Sequence, residues 1–351
     1  MTPTDPVDLR LDLLCQLSDL NGVPGQEDAV RDFVLRELEG LVDEVRVDAL
    51  GNVIALRTGA GEGKRERVML SAHMDEIGFL VSFIDDKGFL RVQALGGFDP
   101  RNLFARNVTV QTRGGPLPGV LTPGGRPVHI STPEDRKKVP EVKEFFVDLG
   151  LPADEVRRRV RVGDMVTLDQ TARRVGHLIV GKAMDDRASV FLLLEVLRRF
   201  REARPRHDVL AVFSVQEEVG LRGATVAAYG AEPTLGIGLD VTLAVDTPGV
   251  GPEEAVTRVG EGIGIKVFDS SMISTRWLVD ELVDLAEREN IPHQLEVLPL
   301  GGTDGAAIQL TRSGIPSVTL SVPTRYIHTV VEAVHEDDLR AGADLLSAYL
   351  R

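Results

Sequence analysis

Cysteine is almost missing. Cys15 stands alone in 351 residues, so no intramolecular disulfide can form and nothing points to an oxidising compartment. It lies in the leucine-rich run "LRLDLLCQL", where a lone cysteine behaves as a small buried hydrophobe. Long apolar runs are missing too: no stretch approaches the roughly 18 uninterrupted apolar residues of a membrane span. The opening "MTPTDPVDLR" has no basic segment leading into an apolar one, so no signal peptide is expected and the chain reads as cytoplasmic. Positive charge is scarce. The 40 Lys and Arg face 54 Asp and Glu, giving a net charge of −14. That balance argues against nucleic acid, whose binding footprint is basic, and no membrane partner is expected either. The short basic run Arg157–Arg159 with Arg161 reads as a solvated face before the turn at Gly163–Asp164.

What remains is ordinary globular composition, 43% apolar and 27% charged, in a chain long enough for one large domain and a smaller one. Two helices open it, "LRLDLLCQLSDL" and "QEDAVRDFVLREL", followed by strands at Glu44–Asp48, "GNVIALR" and "RVMLSA". From Ile77 to Asp169 short β-rich runs alternate with turns such as "DDKG" and "TRGGPLPG", a texture that predicts a small barrel or sandwich. A charged helical piece over Pro133–Gly150 is expected to interrupt it. Beyond "VGKAMDDR" helices and apolar strands alternate: helix Ala188–Phe200, strand Asp208–Val215, helix Arg222–Tyr229, strand Leu235–Leu239, amphipathic helix Arg276–Asn290, strand "IPSVTLSV" and helix His335–Arg351. The expected fold is α/β: a discontinuous sheet domain from residues 1–76 and 170–351 with helices on both faces, and an inserted β-barrel-like domain at 77–169.

Ligands in α/β sheets gather at the carboxyl ends of strands. There "VMLSA" ends in "HMDE", setting His73 and Asp75 two residues apart, on one face if the chain is extended. A carboxylate so placed can hold the second N–H of a metal-binding imidazole. "DVLAVFSV" ends in the adjacent pair Glu217–Glu218, "LGIGL" ends in Asp240, and "IPSVTLSV" runs out through "PTRYIHT" to His328. Asp185 and Asp186 stand just before a helix. Each alone is a weak signal, since an aspartate before a helix is usually a cap. Together they gather so many carboxylates that a cation is needed between them. Imidazole and carboxylate donors without a cysteine suit zinc, cobalt or manganese. The remaining histidines, His129, His177, His207, His293 and His335, lie in the β-rich insert, at turns or at a helix start and read as structural or surface groups.

The successive motifs "AHMDEIGF", "GKAMDDR", "QEEVGLRGA", "GLDVT" and "PTRYIHT" closely resemble those of the tetrahedral (TET) aminopeptidases, a family of dinuclear metallopeptidases that includes glutamyl aminopeptidases and members labelled endoglucanases. The resemblance runs from "GVPGQED" to "GGTDGAAI". It implies a zinc-peptidase-like fold and two divalent ions per subunit, zinc or cobalt foremost, with manganese as an alternative. It makes Asp185 a bridging ligand, completes one site with His73 and Asp240, and completes the other with Glu218 and His328. Glu217 becomes the general base and Asp75 orients His73. It also implies a cis peptide after Asp185, short peptides as substrates, and a homo-dodecamer built from dimers through the insertion. "GGTDGAAI" departs from the family's usual "GTDAGAI", and "IHT" from "IHS". Two rivals stay open: an amidase or deacylase of small N-acyl substrates, and a peptide-binding shell without turnover. Endoglucanase action would need two carboxylates flanking a sugar bond, whereas these look committed to metal.

Overall fold

The computed structural model describes residues 8–63 and 65–351, so most of the opening stretch, on which the expectation of no signal peptide rests, lies outside the described residues. The apolar strands form the middle of an 11-stranded mixed sheet. Its centre is four parallel strands: β3 (Arg67–His73), β12 (Asp208–Ser214), β13 (Leu235–Leu243) and β16 (Ser317–Arg325). Outside β12 run β2 (Val53–Arg57) and β1 (Glu44–Val47), both antiparallel. Outside β16 run β17 (Glu332–His335), β11 (Leu178–Gly181) and β10 (Arg173–Val175). A side branch of β14 (Ile263–Phe268) and β15 (His293–Val297) also leaves β16.

The central strands are apolar on both faces because both faces are covered. Val68, Leu70 and Ala72 of β3 join the main core, while Met69 between them turns to a second cluster on the opposite face. β12 alternates in the same way: Val209, Ala211 and Phe213 to one side, Leu210 and Val212 to the other. The main core is covered by α1 (Leu11–Asp19), α2 (Asp28–Glu37), α5 (Met184–Arg199), α7 (Arg276–Glu289) and α9 (Glu336–Leu350). The opposite face is covered by α6 (Arg222–Ala231) and α8 (Asp304–Gln309), through Ala227, Ala228, Ala231 and Ile308.

The β-rich region is a closed six-stranded antiparallel barrel of β4 (Gly78–Ile84), β5 (Leu90–Leu95), β6 (Arg106–Thr112), β7 (Gly115–Pro123), β8 (Phe145–Asp148) and β9 (Met165–Leu168). It has its own apolar core around Phe79, Leu121, Phe145 and Val166. The helix expected over Pro133–Gly150 is a misreading. Only α3 (Pro133–Lys137) is helical there in more than a single 3-10 turn, started by a capping box between Thr132 and Asp135. Phe145 and Val147 point inward in alternation with Phe146 and Asp148, which makes this stretch the barrel strand between β5 and β7. The basic run instead forms α4 (Ala153–Arg159), where Arg158 and Arg159 pair with Asp154 and Glu155 one turn back on the exposed face.

Candidate metal centre

Five of the sequence-selected side chains meet where the central strands end. One ligand atom from each of His73, Asp185 and Asp240 lies within 4.8 Å of the others, and the same holds for Asp185, Glu218 and His328. Asp185 belongs to both groups. Its Oδ1 is 3.1 Å from His73 Nε2 and its Oδ2 is 3.2 Å from His328 Nε2. The carboxylate therefore faces one imidazole with each oxygen.

The backbone delivers these groups differently from the sequence reading. β13 continues through Asp240 to Leu243, so Asp240 projects from within a strand, opposite Ser321 of β16. His328 lies three residues past the end of β16, in the left-handed region at φ 62°. Gln216, just before the glutamate pair, and Ala183, just before α5, are left-handed as well. Strained positions of this kind concentrate at functional sites. The Asp185–Asp186 peptide is cis, and both residues are non-helical at the head of α5. Asp75 lies two residues past the end of β3.

Asp75 does more than face an imidazole. His73 Nδ1 lies 3.0 Å from the Asp75 carbonyl oxygen and 3.5 Å from its Oδ1. The Asp75 carboxylate also accepts the backbone N–H groups of Glu217 at 3.0 Å and Glu218 at 3.1 Å. One buried side chain thus fixes the turns carrying His73 and both glutamates. Glu332, which the sequence reading passed over, acts likewise on the other side. Its Oε2 accepts from Asp185 N at 3.0 Å and its Oε1 from His328 N at 2.7 Å. The available signal was the acid that opens the strand "EAVH", four residues past His328. A buried cluster braces the "HMDE" turn: Lys182 donates to both oxygens of Glu76, and Arg187 donates to Met74 O and Leu17 O. From the barrel side the turn after β5 closes in. Gly96 sits at φ +86°, and a Cβ there would come within 3.2 Å of Glu218 Oε2; at Gly97 it would come within 3.4 Å of His328 Nδ1. None of His129, His177, His207, His293 and His335 joins the cluster; His177, for example, pairs with Glu336 and His293 with the Ile291 carbonyl.

Anions dominate the electrostatics. Burial, then repulsion from neighbouring carboxylates, pushes Glu217, Asp240 and Asp186 well above the ordinary carboxyl range. Burial opposes charge on the imidazoles too, but the carboxylates overcome it: His73 is raised well above its usual value and His328 is pushed up to about 12. Asp185 is held below its usual value because hydrogen bonds from His328 and His73 outweigh its burial. Glu218 Oε1 and Asp186 Oδ1 are buried with no hydrogen-bond donor. Orphaned carboxylate oxygens and crowded acids around two imidazoles are the donor chemistry that fits hard-to-borderline divalent cations.

Comparison with known proteins agrees with this chemistry. The model of the M42 glutamyl aminopeptidases matches residues 51–345. The lysyl aminopeptidase of Pyrococcus furiosus is 33% identical over 97% of this chain and 96% of its own. Among solved structures, an aminopeptidase from the archaeon Desulfurococcus kamchatkensis superposes with a TM-score of 0.91 at 39% identity, covering 97% of this chain and 93% of the other. The TET1 peptidase of Pyrococcus horikoshii, described as assembling into a tetrahedron or a large octahedral shell, gives 0.86 at 31% identity over 97% and 98%.

Proposed function

This chain belongs to the M42 glutamyl aminopeptidase family and is a metallo-aminopeptidase, and from that premise we propose that its buried cluster holds two divalent cations and serves the removal of N-terminal residues from peptides. His73, Asp185 and Asp240 hold one cation; Asp185, Glu218 and His328 hold the other. The observation carrying this reading is the shared Asp185, whose two oxygens face different imidazoles. Cations bound there supply Lewis acidity, which lowers the pKa of water and polarises a peptide carbonyl.

The protein's own groups do the rest. Glu217 lies outside both ligand groups, yet its Oε2 is 3.9 Å from His73 Nε2. With its backbone held by Asp75, it takes the proton of the attacking water and returns it to the leaving nitrogen. Asp75 keeps the His73 imidazole in the tautomer whose Nε2 is free for ligation. The acidic rim favours a positively charged amino terminus over an acylated one.

Residues 77–169 form, in this reading, the oligomerisation domain inserted into a catalytic domain of 1–76 and 170–351. Assembly into dimers and then a closed twelve-subunit shell is supported by apolar side chains left exposed on the insertion, Val128 at 61%, Ile130 at 69% and Val139 at 54%. Among the described residues no helix is long and apolar enough to cross a membrane, and the lone cysteine fits a cytoplasmic location. A panel of aminoacyl and N-acetylated aminoacyl reporter amides, assayed with zinc, cobalt and manganese, tests the activity. Cleavage confined to free-amine substrates is expected; a preference for the acetylated ones would make the protein a deacylase. Light scattering tests the shell, and an active monomer would overturn it.

A further inference from the structure

Beside the candidate metal centre lies a cavity of about 450 Å³ whose lining is of two chemical kinds. Its ionisable lining, among the described residues, is Asp185, Glu217, Glu218, Asp240 and His328, the groups of the centre itself. The rest of the lining is Leu221, Leu243, Leu298, Leu300 and Ile327, with Val241, Thr242 and the glycines of the Leu298–Thr303 loop.

The polar groups near that part of the lining are already engaged. The Thr242 hydroxyl donates to Glu296 Oε1 at 2.6 Å, and the same oxygen receives Lys266 Nζ at 2.5 Å. Lys266 and Glu296 are both fully buried, so both charges are committed to an internal pair. The loop is pinned as well: Ser270 Oγ accepts from Gly301 N at 3.0 Å and donates to Gly301 O at 2.6 Å. Among the described residues, the lining thus offers a substrate side chain no cation for a carboxylate and no anion for an ammonium beyond the groups of the candidate metal centre itself. Burying either charge there without a partner is costly, whereas an aliphatic side chain gains from leaving water.

We propose that this cavity receives the side chain of the substrate's N-terminal residue and selects uncharged, apolar side chains of leucine or methionine size, against both glutamate and lysine. The proposal rests on the aminopeptidase reading above, since it is that reading which sets the scissile bond at the ionisable groups of the lining. It separates this chain from the acidic and basic specificities carried in the names of its family and its Pyrococcus furiosus relative.

Two measurements on the cation-loaded protein decide it. The first is kcat/KM on leucyl, methionyl, alanyl, glutamyl and lysyl reporter amides. The second is calorimetric binding of free L-leucine, L-glutamate and L-lysine, which does not depend on turnover. Leucyl and methionyl substrates should exceed alanyl by about tenfold or more, as lost methylenes do in an apolar pocket. They should exceed glutamyl and lysyl by at least as much, with free leucine the tightest amino acid. Leu243→Lys, at a 40% exposed wall position that tolerates a longer side chain, should shift the leucyl-to-glutamyl ratio toward glutamyl by roughly tenfold. A wild-type preference for glutamate or lysine, or a Leu243→Lys ratio equal to wild type, would overturn the proposal. Leucine binding without cleavage of any free-amine amide would support the pocket and overturn the aminopeptidase reading.

Discussion

The barrel and the sheet domain both bury apolar cores, but differ in what they bury beside them. Of the described polar or charged side chains that are buried, only Thr167 belongs to the barrel, and its hydroxyl reaches out to Asn21 of the other domain. All the rest lie in the sheet domain, including His73, Asp75, Glu76, Lys182, Asp185, Arg187, Asp240 and Glu332. An apolar barrel core is held by burial alone. Buried ion pairs, in contrast, roughly cancel their desolvation cost and are weak sources of stability. Glu76, for example, is gripped by Lys182, and its backbone N–H donates to the Gly22 carbonyl, so its energetic yield is small while its effect on the Met74–Asp75 turn is large. Both interiors rest on apolar packing, and the sheet domain's also holds charge in place.

The sharpest way to break this contrast is inside the centre. Asp185→Asn should remove both cations and lower turnover by more than about a thousandfold, while Glu217→Gln should keep both cations and still lose about 10²–10⁴ of the rate. Metal analysis beside steady-state kinetics checks this. Cation loss in the Glu217 variant would mean that the general base and a ligand had been interchanged. On the barrel side, Leu121→Ala should cost about 2–5 kcal/mol of stability, as fully buried leucines do, with cation affinity unchanged by calorimetry. A matching loss of affinity would erase the division of labour between the two interiors.

A smaller effect is expected at Glu332. Glu332→Gln removes one of two carboxylate acceptors from the Asp185 and His328 amides, and should weaken cation binding about 10–100-fold without moving the barrel's amide-exchange protection. Smaller still is a pH effect remote from the centre. Burial, opposed by amide hydrogen bonds from Gly260 and Gly262 and reinforced by repulsion from Asp337 and Asp246, raises the Asp338 carboxyl to about 7. The folded chain thus binds this proton more tightly than the unfolded chain does. Its contribution is fully present below the ordinary carboxyl range near 4 and is lost as pH climbs to about 7. Asp338→Asn should therefore flatten the fall in melting temperature between pH 5 and 8 by about 2 °C. An unchanged slope would remove Asp338 from the pH response.

The same contrast explains what could be read from the sequence. The four central strands and the long helices were legible because burial on two faces leaves uninterrupted apolar runs, and burial on one face leaves a helical stripe. β14, β15, β17 and α8 were not. β14 carries buried Lys266 in mid-strand, β15 alternates polar residues along a sheet edge, and β17 begins with buried Glu332. At Pro133–Gly150 the charges of "PEDRKKVPEVKE" concealed the two inward residues of a four-residue strand. The candidate ligands were legible as residue types at the ends of apolar runs. Glu332 and the Glu76–Lys182–Arg187 cluster act through backbone groups brought together from distant parts of the chain, so no local spacing encodes them.

The turn at Gly96–Gly97 has a consequence for descent. β4 begins five residues after His73, and the chain comes back past Glu218 and His328 before the barrel is half complete. The insertion is thus not a detachable ornament. A lineage that deleted it would open the flank of Glu218 and His328 to bulk water, and one that put a side chain at Gly96 would press a Cβ against Ile77 Cγ2 and Glu218 Oε2. Heritable change in the barrel is filtered through the chemistry next to it, so the module that shapes the outside of the molecule and the residues that work inside it are bound to a common evolutionary fate.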